Sequence, residues 1–256
     1  MSINGRGLRI VTAFAAASFW VAGCATATRQ VGAPADPIVQ TLQYYPYQVK
    51  GYQNSYAKRR ILVLMPVDAH QPVLAPGLTA LPYQGNVAVG AVDDMTNQPV
   101  QELYAAPIGG LVQDGIAQSA REAGLIATVT PGSLYVPGQV VGADYVLQSR
   151  IVRCWVSRRP GPGGQSGPAW FNSAQFAIEV TVFKPPFSVP FWQGMSAADY
   201  YDPPIDSNTI DPEDETAIYD QPSEVLSVAL TRAVAGIFNR TALFSLVNED
   251  RMQSHQ

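Results

Sequence analysis

Histidine and cysteine are almost missing from this chain of 256 residues: each occurs twice, as His70 and His255 and as Cys24 and Cys154. A histidine triad or a zinc site needs such side chains in clusters, and no His-Glu-x-x-His or Cys-x-x-Cys spacing occurs. With Cys24 assigned a role of its own below, Cys154 has no partner for a disulfide. Charge is scarce too. Charged residues make up 14% of the chain and the formal net charge is −4, so nothing invites nucleic acid or another polyphosphate. No apolar run approaches the roughly 20 residues of a membrane-spanning helix; the stretch from Ile10 to Ala22 has only about 13. Apolar residues nevertheless reach 47%, enough to build a sizeable core and to exclude disorder throughout.

The short apolar run follows Arg6 and Arg9, the pattern of an export signal. Directly behind it stands Val21-Ala22-Gly23-Cys24. This string resembles the bacterial lipobox, in which a branched apolar residue and two small ones precede the cysteine. The resemblance implies diacylglycerol on the Cys24 sulfur, cleavage before that residue and a further acyl chain such as palmitate on the freed amine. Cysteine suits the task because its thiolate is the nucleophile that can form the thioether. One chain anchors only marginally, at about 0.8 kcal/mol per buried CH₂, whereas two or more hold stably. Ala25-Thr26-Ala27 is a competing site for ordinary signal peptidase, and cleavage there would discard Cys24. Among lipoproteins of diderm bacteria, a residue other than Asp after the cysteine implies the outer membrane, and here it is Ala25. The expected organisation is a signal over 1–23, a lipidated flexible tether over 24–59, one periplasmic α/β domain over 60–247 and a tail over 248–256.

The tether reading rests on a segment rich in Ala, Pro, Gln and Tyr, with five tyrosines between Tyr44 and Tyr56 and no sustained periodicity. Strands are expected at 61–65, 86–92, 125–129, 143–157, 174–183 and, at an edge, 191–196. Apolar Ile108, Leu111, Val112, Ile116 and Ala120 recur at helical steps and predict an amphipathic helix closed by Gly124. A last helix is expected to open with Asp220 as cap and Pro222 in its first turn and to run to about Asn239, with Leu243 to Leu246 docking as a turn or strand. The fold class that follows is an α/β (α+β) sandwich, a mostly antiparallel mixed sheet covered by two main helices.

Candidate chemistry is sparse. His70 falls in a polar loop and reads as exposed and without a role. Cys154, between Arg153 and Trp155, could have its pKa lowered by neighbouring charge or could be a structural cysteine. The run Gly161 to Gly167 lacks the Lys-Ser/Thr ending of a phosphate loop and reads as a flexible hairpin tip. The carboxylates from Asp206 to Glu215 could attract calcium, but their spacing is not that of an EF-hand and Pro212 stiffens them; no metal or cofactor site is assigned. Trp155, Trp170, Phe171, Phe191 and Trp192 could line a docking surface or a cleft for a lipid. Strict alternation would put Arg150 and Arg153 on opposite faces of their strand, which argues against a membrane hairpin.

Val87-Ala88-Val89 running into Asp93, a helix ending at Gly124-Leu125, and the string from Ala143 to Ile151 together resemble small envelope lipoproteins. These include the auxiliary lipoproteins of ABC-type transport systems and related accessory proteins of peptidoglycan synthesis and secretion. The resemblance implies a non-enzymatic, membrane-anchored accessory subunit of a cell-envelope transport or assembly complex. Its partners would be the membrane, through acylated Cys24, and a protein of that complex. The alternative is a periplasmic carrier holding a lipid or other apolar ligand near Trp155 and Trp192.

Overall fold

The computed structural model describes residues 36–72, 82–94, 96, 98–164, 167–186, 188–201, 205–206 and 215–253, with backbone alone at 161–164, 167–170, 205–206 and 215–221. Short runs of branched and aromatic residues form ten strands. They are β1 (Ile38–Gln40), β2 (Arg60–Leu64), β3 (Val67–Asp68), β4 (Val87–Asp93), β5 (Pro99–Ala105), β6 (Ile126–Thr130), β7 (Tyr145–Gly164), β8 (Gly167–Phe183), β9 (Pro190–Tyr201) and β10 (Ile205–Asp206). Among the described residues three α-helices accompany them, α1 (Gly109–Glu122), α2 (Glu215–Phe238) and α3 (Thr241–Gln253), with one short 3-10 turn at Pro46–Gln48.

All ten strands share one mixed sheet, organised by the 20-residue β7. Along one flank β7 pairs antiparallel with β8, which pairs antiparallel with β9; these two ladders supply most of the paired residues. Along its other flank the sheet forks. The first part of β7 carries β2, which carries β6, both parallel. Further along, Gly90 to Val92 of β4 lie parallel to Val156 to Arg158, and β5 and β1 follow outward. In the notch between the branches only the two-residue β3 pairs with β7.

Helices lie on one face. Val112, Ile116, Ala117 and Ala120 of α1, Leu226, Leu230 and Phe238 of α2, and Leu243 and Val247 of α3 join one core with Ile61, Val63, Leu147, Phe176 and Ile178 of the sheet. The α1 stripe is the expected one, and the helix stops where Gly124 takes φ 91, with the Leu125 amide donating to the Ala120 carbonyl. α2 starts at Glu215 and not at an Asp220 cap, and Pro222 lies inside it; a proline forfeits one helical hydrogen bond, and the residues before it supply another turn. The segment expected as a final turn or strand is α3.

Residues 36–59, expected as part of a flexible tether, pack on the domain. β1 extends the sheet beside β5, the Gln43 and Tyr45 amides donate to Ser227 and Thr231 of α2, and the Tyr56 hydroxyl donates to the Phe238 carbonyl over 2.8 Å. The Tyr56 ring meets Phe238 and Phe244 edge-on and is buried, while Tyr47 stays 72% exposed. The β1–β5 pairing spans 65 positions and the hydrogen bonds to α2 and the Phe238 carbonyl more than 180, so no local pattern announces them.

Candidate functional site

The notch of the fork holds His70, the one histidine among the described residues. Leaving β3, the chain keeps its Ala69 amide on the Ile151 carbonyl of β7, and His70 then turns inward until its side chain is only 4% exposed. Asp68, two residues earlier, accepts from the His70 backbone amide at 3.3 Å and places Oδ1 2.5 Å from the ring Nδ1. The ring Nε2 is 3.0 Å from the Ala88 carbonyl of β4. One side chain therefore joins β3, which rides on β7, to the opposite branch. Burial alone would lower the His70 pKa, but the Asp68 hydrogen bond, the Ala88 carbonyl and the Asp68 charge outweigh it and hold the value above the usual 6.5. Beside the ring lies a cavity of about 290 Å³ lined by Asp68, His70, Pro72, Pro82, Val87 and Ala88.

This corrects the expectation of an exposed His70. The neighbouring Asp68 was visible in sequence, but the covering carbonyl comes from a strand 18 positions away.

Cys154 is fully buried on β7. Burial first, and the Asp68 charge second, push its thiol well up, the reverse of what an activated nucleophile needs. Its neighbour Arg153 points elsewhere, donating to Gln175 at 3.0 Å. The reason is a bulge. Ile151 pairs with Ile178 and Arg153 with Ala177, so one residue is skipped and the alternation of faces inverts. The inward series Leu147, Ile151 continues as Cys154 and Val156, and Arg150 and Arg153 share the helix-free face instead of opposing one another.

The same inversion separates the tryptophans. Trp192 pairs with inward-facing Val182 and packs on the core, whereas Trp155 pairs with Gln175 on the opposite face. Gln175 and Val182 are also seven positions apart, roughly 24 Å of strand. Phe191 joins the Tyr145 ring at 5.3 Å. Phe171 is half-buried on β8, and the Trp170 side chain lies outside the described residues. No common cleft forms between Trp155 and Trp192. The run Gly161 to Gly167, expected as a loose tip, is strand up to Gly164 and again from Gly167.

Cys24, His255 and most of the acidic run from Asp206 to Glu215 lie outside the described residues. Among the described residues no three His, Cys, Asp or Glu side chains gather as metal ligands, and no helix is long and apolar enough to cross a membrane.

The architecture is thus a helix layer on one face of a forked, mixed sheet. No family model matches the chain, and no curated protein does. Solved structures do resemble it. A Xanthomonas campestris protein assigned to the family DUF330 aligns with 85% of this chain and 99% of its own at 15% identity and a TM-score of 0.42. A Helicobacter pylori protein described as a homolog of a neuraminyllactose-binding hemagglutinin aligns with 80% of this chain and 97% of its own, at 10% identity and 0.43. A hypothetical protein of Chlamydia trachomatis aligns with 74% and 98%, at 10% identity and 0.37.

Proposed function

We propose that this chain is a non-enzymatic lipoprotein, held on the outer membrane by acylated Cys24, that serves as an accessory subunit of a bacterial cell-envelope transport or assembly complex. Val21-Ala22-Gly23-Cys24, set directly behind a basic and then apolar leader, carries the reading. The domain is suited to contact. Its helices occupy one face, while the other presents Arg150 paired with Glu179 at 3.6 Å, Arg153 on Gln175, and the exposed side chains of Met195 and Tyr201 on edge strand β9. Among the described residues β9 pairs with no strand beyond β8, and a sheet edge with a mixed polar and apolar face is a feature by which a sheet recruits another protein.

Metabolic labelling with palmitate tests the anchor: wild-type chain takes up label and partitions into detergent, and Cys24→Ser does neither. Label retained by the serine variant would refute the lipidation. In-cell crosslinking from engineered sites on β9 tests the role, with discrete heteromeric products expected and none refuting the accessory reading.

A further inference from the structure

We propose that Asp68, His70 and the Ala88 carbonyl form a proton-operated clasp that closes the notch between the two branches of the sheet and opens when the histidine loses a proton. Both ring nitrogens face oxygen: Nδ1 meets the Asp68 carboxylate at 2.5 Å and Nε2 meets the Ala88 carbonyl at 3.0 Å. A backbone carbonyl can only accept, so Nε2 must carry a proton. The remaining contact needs one more proton between Nδ1 and the carboxylate. The closed clasp therefore holds one proton more than a neutral imidazole beside an ionised aspartate.

Removing that proton leaves two arrangements, and each fails on one side. A ring protonated at Nδ1 turns its Nε2 lone pair on the Ala88 carbonyl, and a ring protonated at Nε2 turns its Nδ1 lone pair on the carboxylate. The His70 side chain is only 4% exposed and its Nε2 faces the Ala88 carbonyl, so the contact on that side is the one that water repairs least; the Asp68 carboxylate, 29% exposed, keeps access to solvent. Among the described residues, the titratable groups on the surrounding elements are already engaged or buried. Beneath the site β7 offers Cys154, a buried thiol held protonated, and β4 offers only its backbone. On β5, Tyr104 sits in register with Ala88, but its hydroxyl donates to Glu102 at 2.6 Å.

The sign follows from the cycle. A histidine whose folded pKa exceeds its unfolded one adds stability in full below the unfolded value, about 6.5, and loses that contribution as pH rises through the folded value. The cavity shares Asp68, His70 and Ala88 with the clasp, so its shape changes with the same proton. The proposal does not depend on lipidation or on any partner.

Imidazole ¹⁵N shifts of the full chain between pH 5 and 9 test it, with His255→Ala assigning the two rings. Both His70 nitrogens should be protonated at pH 5 and release one proton at a midpoint above 6.5, with the Ala69 and Ala88 amide shifts moving at the same midpoint. Asp68→Asn should drop the midpoint below 6.5, since burial then acts against a weaker partner. His70→Gln, which cannot titrate, should flatten the two amide profiles. A His70 midpoint at or below 6.5 in the wild type, or amides that ignore it, would overturn the clasp, and that measurement stands even if a variant fails to fold.

Discussion

Two polar ties fasten peripheral elements to β7, and they answer pH with opposite signs. At the fork, His70 joins the β3 side to β4 and is strongest when protonated. Near the start of β7, Asp250 of α3 accepts from the Tyr145 hydroxyl at 2.6 Å and pairs with Lys184, fixing the last helix to β7 and the end of β8. Burial would raise the Asp250 pKa, but the hydrogen bonds from Lys184 and Tyr145 and the lysine charge hold it below the ordinary carboxylate value. The contrast teaches that charge placement alone decides little here. Both ties pair an acid with a base, yet the buried imidazole must keep a proton to satisfy two acceptors, while the carboxylate must lose one to satisfy two donors.

Gly90→Ala breaks the comparison most severely, because it removes the platform of one tie and leaves the other intact. A Cβ at Gly90 would lie 2.2 Å from the Val156 carbonyl oxygen, a backbone atom that cannot swing aside. β4 must then lift from β7, and overpacking at a backbone contact costs about 3 kcal/mol. Amide exchange should show β4, β5 and β1 losing protection while α3 keeps its own. Uniform loss, or none, would show that the branches are not separable units.

Asp250→Ala attacks the second tie. It strands the Tyr145 hydroxyl and the Lys184 ammonium, the latter 40% exposed and hence rehydrated, so a loss of about 2 kcal/mol is expected at pH 7. Since the folded carboxyl titrates below its unfolded counterpart, its contribution is present above roughly pH 4 and lost as pH falls through the folded value. Melting temperatures of wild type and variant should converge as pH falls below about 4. Those of wild type and His70→Gln should converge in the other direction, as pH rises above 6.5.

The parts of the fold that were legible in sequence are those whose cause is local. The stripe from Ile108 to Ala120 gave α1 to within two residues at either end, because a solvent boundary along one helix imposes its own period. Strand alternation through β7 was legible only as far as Ile151. The bulge beyond it is a property of two strands together, and it reversed the side assigned to Arg153 relative to Arg150. β5 was missed because Gln101 and Glu102 interrupt its apolar residues, and β1 because its partner lies some 65 positions away. Of the site, Asp68 and His70 announce each other by proximity, while Ala88 acts through its carbonyl, which no residue type encodes. The proposed lipidation site is the reverse case: it rests on residue order alone, and Cys24 lies outside the described residues.

Two smaller substitutions sharpen the comparison by separating buried from exposed polar contacts. Tyr145→Phe keeps the ring against Phe191 and deletes only the hydroxyl on Asp250, for a loss of about 1 kcal/mol. Lys184 still holds the carboxylate, so the acid-side convergence should persist with reduced amplitude. Arg60→Ala makes the mildest change. Arg60 and Asp144 lie 3.3 Å apart with the arginine side chain 55% exposed, and the Arg60 backbone amide, which substitution leaves in place, already donates to Asp144 at 2.7 Å. That backbone bond orders the entry into β7, and the guanidinium adds an exposed ion pair worth under about 0.5 kcal/mol. Urea unfolding in low and high salt should therefore give nearly superimposable curves for wild type and Arg60→Ala. A loss above 1 kcal/mol would mean that the start of β7 depends on surface charge, in which case the Asp250 tie beside it could not be read as the element that holds that end.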